Sequence, residues 1–460
     1  MKKLIKYLFL LSFVLCQDFI PQNEISINYT QVFFKWPQIN SSNNYCLFLS
    51  DNNEIVEYQS DQNSILIEDL FWDTQYSWYV CGEDFEGNIS GCHDEKFFTI
   101  NNLPNYFPNN LNVLTLNDSD LAQGITVMDF ESLNFSVAID KYGDALWYAN
   151  RSNFYNNKIV VSQFLDSGNL IGFGVGKGYE FDLNSNIIFE TPDNVGVHHY
   201  IHKTNQGTYF LIDSVIENHP CPEECDPSLP DIIPWKGDKF TEIDKDGNIV
   251  WDWNTFDYIE LNEYNPFWIE EYSGQLDFDW THSNAVYFDE QLNSVFVSIR
   301  NLSRITAIDY STKNILWNLG EEEFMNETSF QDHFGFSHQH SSQITHDNNL
   351  IFFDNGRFNE PELSRCLEVD FNNGEIAELV WEYVLPDSML TLSRGECDRL
   401  LNNNTLITAG RTGNVIELNE NNEIVWHMNV ESNQGADVSI YRSQRILNLY
   451  PNIFSFEIDN

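Results

Sequence analysis

Three side chains that can donate to an oxyanion recur at one register of the chain. His199 stands fourteen residues before Asp213, which ends Tyr209-Phe210-Leu211-Ile212-Asp213. His340 stands fourteen residues before Asp354, which ends Leu350-Ile351-Phe352-Phe353-Asp354. Between them Asn284 holds the same offset before Ser298, at the end of Val295-Phe296-Val297-Ser298. His282 precedes Asn284 by two residues and His338 precedes His340 by two, and in a strand such pairs share a face. His198 and His199 are adjacent, so they face opposite ways, and register selects His199. Arg300 closes the strand pair that His282 opens. For a chain with 11 histidines in 460 residues, so many at or beside one register argue against isolated core positions. Three imidazoles can bind zinc and leave a position open, but Arg300 would repel the metal and the matching register holds no Asp or Glu. Imidazoles, a guanidinium and an amide suit a tetrahedral oxyanion better, because each can donate to its oxygens. A neutral imidazole is also a nucleophile.

The elements that position these residues read as strands. Aromatic and β-branched residues fill short runs separated by Asn, Asp and Gly, and long stretches of helical period are missing, so the fold class is all-β. One hairpin repeats six times: Ile139-Asp140 to Trp147, Phe181-Asp182 to Phe189, Ile243-Asp244 to Trp251, Ile308-Asp309 to Trp317, Val369-Asp370 to Trp381, and Leu418-Asn419 to Trp426. The copies lie 42 to 66 residues apart, and four share a spacing of seven between the acidic or amide residue and the aromatic. Regular hairpins at irregular intervals predict a six-bladed β-propeller with loop insertions over residues 105–460. The register carrying His199, Asn284 and His340 precedes the hairpin repeat, so it falls on the innermost strands and its side chains converge on the central channel.

Residues 18–101 resemble a fibronectin type III β-sandwich. Trp36 takes the core position and Tyr76, in Thr74-Gln75-Tyr76-Ser77-Trp78, takes the tyrosine corner. Residues 1–16 read as a secretory signal peptide: Met1-Lys2-Lys3-Leu4-Ile5-Lys6 leads into an apolar run from Tyr7 to Leu15. Lipid attachment at Cys16 is disfavoured because Phe13-Val14-Leu15 lacks a small residue. A membrane-spanning helix needs roughly 20 apolar residues, and no later segment supplies them. The chain is therefore expected to be periplasmic or secreted, where disulfides form. The expected pairs are Cys221 with Cys225, Cys81 with Cys92 and Cys366 with Cys397, with Cys46 unassigned. The cysteines are not clustered with histidine at zinc spacing.

With 70 Asp and Glu against 23 Lys and Arg, the net charge is −47. That excludes nucleic acid, whose phosphates need a basic footprint, and anionic membranes. An anionic small molecule must then find a local cationic pocket, which the His282, Asn284 and Arg300 group supplies. No phosphate-binding loop of the P-loop type is present, so neither nucleotide nor metal cofactor is expected.

Asp279-Trp280-Thr281-His282-Ser283-Asn284, Val297-Ser298-Ile299-Arg300, Gln339-His340-Ser341 and Phe353-Asp354-Asn355-Gly356 are together similar to the bacterial arylsulfate sulfotransferases. His198-His199, followed by the turn at Gln206-Gly207, resembles that family's upstream histidine motif. The resemblance spans roughly 105–450, and the N-terminal sandwich also fits family architecture. It implies ping-pong sulfuryl transfer from an aryl sulfate to a phenol without a nucleotide donor. The position of His340 is then the nucleophile that becomes sulfohistidine. His282, Asn284 and Arg300 match positions that hold the sulfuryl oxygens, and His199 a position suited to proton transfer. His338 is the alternative nucleophile, and its register also fits an oxygen donor. Two other readings stay open: a non-catalytic secreted propeller binding sulfated or carboxylated ligands, and a metal-dependent hydrolase or lactonase on the same fold.

Overall fold

In the computed structural model, which describes residues 19–450 apart from 52, 275, 321–328, 331 and 372–375, the six repeated hairpins are built alike. The segment read as a signal peptide, with Cys16, lies outside the described residues. In five of them the polar residue that opens the turn caps it. Asp140 Oδ1 accepts the N–H of Tyr142 and Asp144 at 2.8 Å, and Asp182 Oδ1 those of Asn184 and Asn186 at 2.9 Å. Asp244 does the same with Asp246 and Asn248 at 2.9 Å, and Asn419 with Asn421 and Glu423 at 3.0 Å. A short side-chain acceptor that folds back on its own backbone is why Asp and Asn recur there. The register then shifts at one equivalent place in all six hairpins, a bulge that strengthens local twist.

These hairpins form the outer halves of six antiparallel sheets. Sheet 1 runs from Ser443–Ile446 through Ile125–Phe130 and Phe135–Ile139 to Ala145–Tyr148, and sheet 2 from Val160–Phe164 to Ile187–Glu190. Sheet 3 runs from Ile201–Lys203 through the long strands Tyr209–Pro220 and Ile232–Ile243 to Ile249–Asn254. Sheet 4 comprises Ser283–Asp289, Ser294–Ile299, Arg304–Asp309 and Ile315–Gly320. Sheet 5 comprises His340–Ile344, Leu350–Asp354, Arg365–Asp370 and Glu378–Val384. Sheet 6 runs from Glu396–Arg399 through Thr405–Ala409 and Asn414–Leu418 to Ile424–Glu431, with Asn110–Leu116 added outside.

The aromatic that ends each hairpin reaches the next sheet, and this closes a ring. Trp147 Nε1 donates to the Leu183 carbonyl at 2.8 Å, and Phe189 stacks on Tyr209 at 4.1 Å between centroids. Trp251 Nε1 donates to Tyr310 O at 2.8 Å, Trp317 packs on Phe371 at 5.3 Å, and Trp381 Nε1 donates to Asn422 Oδ1 at 2.9 Å. Trp426 Nε1 returns to sheet 1 through Lys141 O at 2.9 Å. Inner strands of neighbouring sheets also touch around the whole circle, Ser443–Ile446 meeting sheet 6. The result is a propeller whose first sheet is completed by the C-terminal strand. Because the strands alternate in direction, the entries to the first strands and the turns between second and third strands share one end of the channel.

The chain divides into two compact units, Met1–Leu103 and Pro104–Asn460. The first unit holds a six-stranded and a two-stranded sheet. In it Trp36 is fully buried and packs on Tyr45 at 5.5 Å, and the Tyr76 hydroxyl accepts the Phe71 N–H at 2.9 Å. Disulfides join Cys81 to Cys92, Cys221 to Cys225 and Cys366 to Cys397, and Cys46 is free and buried. No helix among the described residues is long and apolar enough to cross a membrane.

Candidate active site

At the entry end, a cavity of about 330 Å³ is lined by His199, His282, Asn284, Arg300 and His340 together with Glu131, Ser393, Arg394 and Tyr441. Sheets 3, 4 and 5 supply the five residues singled out from the sequence. The chain enters the inner strands of these sheets through residues in the left-handed region: His199 at φ 61°, His282 at φ 47° and His338 at φ 55°. Non-glycine residues rarely adopt that backbone, and it gathers at functional sites. Strand alternation therefore does not govern these positions. His282 and Asn284 both line the cavity although His282 precedes the strand. His338 and His340 are parted: His338 does not line the cavity, and its ring lies stacked on Trp268 at 5.1 Å and edge-on to Phe358 at 4.7 Å. Both His338 nitrogens are buried without a hydrogen-bond partner.

His340 begins its strand with Nδ1 2.9 Å from Gly395 O and 2.9 Å from Ser341 Oγ. A carbonyl accepts only, so Nδ1 carries the hydrogen and Nε2 keeps its lone pair. Burial, and then the Arg442, Arg300 and Arg394 charges, hold its pKa well below the ordinary imidazole value despite the Gly395 contact. His340 is thus a neutral imidazole with one free nitrogen.

Its neighbours are fixed just as closely. His282 Nδ1 is hydrogen-bonded to Asp279 Oδ2, which leaves Nε2 as its free nitrogen. Burial raises the Asp279 carboxyl, but His282, Lys236 and Arg300 outweigh it and bring the pKa to about 2. Asn284 Nδ2 donates to Gln339 O at 2.8 Å, tying sheet 4 to sheet 5 beside His340, while its Oδ1 is buried without a partner. Arg300 donates from Nη1 to Asn301 Oδ1 at 3.0 Å and lies over Trp268 at 5.1 Å. Burial, with Arg357 and Arg411 nearby, lowers Arg300 to about 10 against the pull of Asp279, so it stays cationic.

His198 and His199 meet Nδ1 to Nδ1 at 2.7 Å. His198 Nε2 lies 3.2 Å from Asp238 Oδ1 but is not aligned for a full hydrogen bond. The carboxylate nevertheless favours the proton on that nitrogen. His198 Nδ1 then accepts from His199 Nδ1, and His199 Nε2 is left as a proton acceptor. Burial first, then the neighbouring histidines, keep His199 neutral.

Sequence spacing did not single out Tyr441, Ser393, Arg394 or Glu131. Tyr441 packs edge-on to His340 at 4.9 Å, and its hydroxyl has no hydrogen-bond partner. Arg394 Nε donates to Glu131 Oε2 at 2.6 Å. Arg442 Nη2 donates to Asn284 O at 3.2 Å and Nη1 to Glu396 Oε1 at 2.9 Å. Among the described residues no group of three or more His, Cys, Asp or Glu is arranged to hold a metal ion.

The sequence profile described as Arylsulfotransferase (ASST) matches residues 93–442. No curated protein matches the chain. Similar solved structures include a protein of unknown function from Bacteroides caccae, with a TM-score of 0.43 and 8% identity over 70% of this chain and 98% of that one. A streptogramin B lyase has a TM-score of 0.40 and 10% identity over 75% of this chain and 100% of that one. A virginiamycin B lyase from Staphylococcus aureus has a TM-score of 0.39 and 14% identity over 69% and 88%.

Proposed function

The chain belongs to the arylsulfotransferase (ASST) family, and from that premise we propose that it moves a sulfuryl group from an aryl sulfate to a phenol through a sulfated His340. As a family member it is a sulfotransferase. The observation that carries the ping-pong reading is the state of His340: neutral, Nδ1–H held by Gly395 O, and Nε2 free in a cavity shared with Arg300.

In the first half-reaction the Nε2 lone pair forms the N–S bond as the S–O(aryl) bond breaks, and the electron pair leaves on the phenolate oxygen. Arg300 and the second amide hydrogen of Asn284 face the sulfuryl oxygens where charge gathers, and so does His282 Nε2, which donates when the ring carries both protons against Asp279. Preorganised donors aimed at developing charge are usually the largest single contribution to rate. In the second half-reaction the acceptor phenol loses its proton to His199 Nε2 as its oxygen bonds sulfur and the N–S bond breaks. That proton is the one the departing phenolate takes in the next turnover. No step calls for a nucleotide or a metal. Export of the chain is part of the same proposal, and the three disulfides among the described residues support it. The N-terminal unit is assigned as fibronectin type III-like on the Tyr76 and Trp36 contacts.

The test is to quench the protein with 4-nitrophenyl sulfate before any acceptor is added and map the adduct by mass spectrometry. A peptide gaining a sulfuryl group at His340, and lost in His340→Ala along with both half-reactions, is the expected result. Replacing Arg300 by Gln or His282 by Ala should lower the rate by about 10² to 10³. Full turnover by His340→Ala ends the proposal.

A further inference from the structure

Three arginines of the propeller unit that have no carboxylate partner stand in one place. Arg304, Arg365, Arg394, Arg399, Arg442 and Arg445 each contact a carboxylate at ion-pair distance, and Arg151 donates to the Leu133 carbonyl. Among the described residues Arg300, Arg357 and Arg411, like Arg151, have no carboxylate at that distance, and the first three lie together. This is unexpected in a chain with 70 acidic and 23 basic residues, where a free guanidinium rarely lacks a partner.

Topology explains how the three come together. Each follows the second strand of its sheet, Arg300 after Ile299, Arg357 after Asp354 and Arg411 after Ala409, in sheets 4, 5 and 6. Equivalent turns of successive sheets thus present them at the entry end. Arg357 and Arg300 share the Trp268 ring at 5.8 and 5.1 Å, and Arg357 also lies over Phe267 at 5.1 Å. Arg411 is carried on a turn packed against the cavity wall. Its N–H donates to Thr391 Oγ1 at 2.9 Å, and a Cβ on the preceding Gly410 would lie 2.7 Å from Arg394 Cβ. Arg411 is exposed and Arg357 half-buried, so both side chains keep contact with solvent.

A sulfate monoester carries one negative charge and three free oxygens, which Arg300, His282 and Asn284 already serve. Arg357 and Arg411 are cations in excess of that need. We propose that they form a second anion subsite at the rim of the His340 cavity, and that the aromatic substrate carries a second anionic group there, a carboxylate or a further sulfate. This rests on the sulfuryl-transfer reading of the same cavity.

Sulfonates test it without turnover, since their S–C bond cannot be transferred. Calorimetry with the full chain at about 150 mM salt should show 3- or 4-sulfobenzoate binding roughly five- to tenfold tighter than benzenesulfonate, the scale of two partly screened ion pairs. Arg357→Gln with Arg411→Gln should erase that preference and leave benzenesulfonate binding unchanged. Equal binding of the two ligands by the wild type, or a preference that survives the double substitution, overturns the proposal. Two transfer arms then locate the charged partner: 4-hydroxybenzoate against 4-methylphenol as acceptor, and 4-carboxyphenyl sulfate against phenyl sulfate as donor. Where transfer occurs, a preference in either arm supports the subsite, and none in both overturns it. Absence of any transfer, with the sulfobenzoate preference intact, would overturn the transfer reading alone.

Discussion

In the proposed reaction an imidazole attacks only while neutral, and His338 and His340 show two ways that a fold enforces neutrality. His340 is buried with its Nδ1–H spent on a carbonyl and Nε2 open to the cavity. His338 is buried with neither nitrogen partnered, between Trp268 and Phe358, and burial with the Arg300 and Arg357 charges lowers its pKa to about 2. The unfolded chain binds a proton at this ring near pH 6.5 and the folded chain does not. Between those two values His338 therefore costs the native state about 1.4 kcal/mol for each unit by which pH falls. His338→Phe keeps the aromatic stack and removes the cost. Its stability relative to wild type should rise as pH drops from 7 to 5, measured by denaturant titration, while sulfuryl transfer persists. A pH-independent difference, or an inactive His338→Phe, would contradict this placement. The sequence register marked His199, Asn284 and His340 because each sits at a fixed count from a strand end. It did not separate His338 from His340, because alternation presumes a strand and the left-handed residue breaks it.

At the scale of elements, the hairpins were legible because their signature is short in sequence, an Asp or Asn at the turn and an aromatic soon after it, even though that aromatic packs on the next sheet. Tyr441 was not, since its wall of the cavity is made where the C-terminal strand Ser443–Ile446 pairs with Ile125–Phe130, more than 300 residues away in sequence. Gly395 was missed for a different reason: its function lies in a backbone carbonyl, which no side-chain pattern reveals. Two residues beyond Gly395 stands Cys397, whose disulfide to Cys366 spans 31 residues and joins the third strand of sheet 5 to the first of sheet 6. Closing a loop of that length stabilises by about 3–4 kcal/mol on the chain-entropy account. Cys366→Ala with Cys397→Ala should therefore lower the unfolding midpoint. It should also reduce kcat more than it raises KM, because Gly395 O orients the proposed nucleophile rather than binding the substrate. A variant destabilised as expected but with unchanged kcat would show that Gly395 is positioned without the bridge.

For the whole molecule, the net charge of −47 opposes approach of the proposed donor, a sulfate ester, while the cavity proposed to receive it holds the Arg300 cation. The two fields differ in range. Most of the acidic surface acts on an incoming anion over tens of ångströms, farther than the Debye length of about 10 Å at 0.1 M salt. Arg300 and its neighbours act at contact distance in a partly buried site, where screening is weak. Added salt should therefore remove repulsion before it removes binding. Stopped-flow or steady-state assays with 4-nitrophenyl sulfate are expected to show kcat/KM rising severalfold between about 10 and 150 mM sodium chloride. A neutral phenol feels neither field, so kcat/KM for the acceptor should stay flat over the same range. A donor kcat/KM that falls steadily from the lowest salt would mean that the cationic rim, rather than the acidic surface, governs encounter.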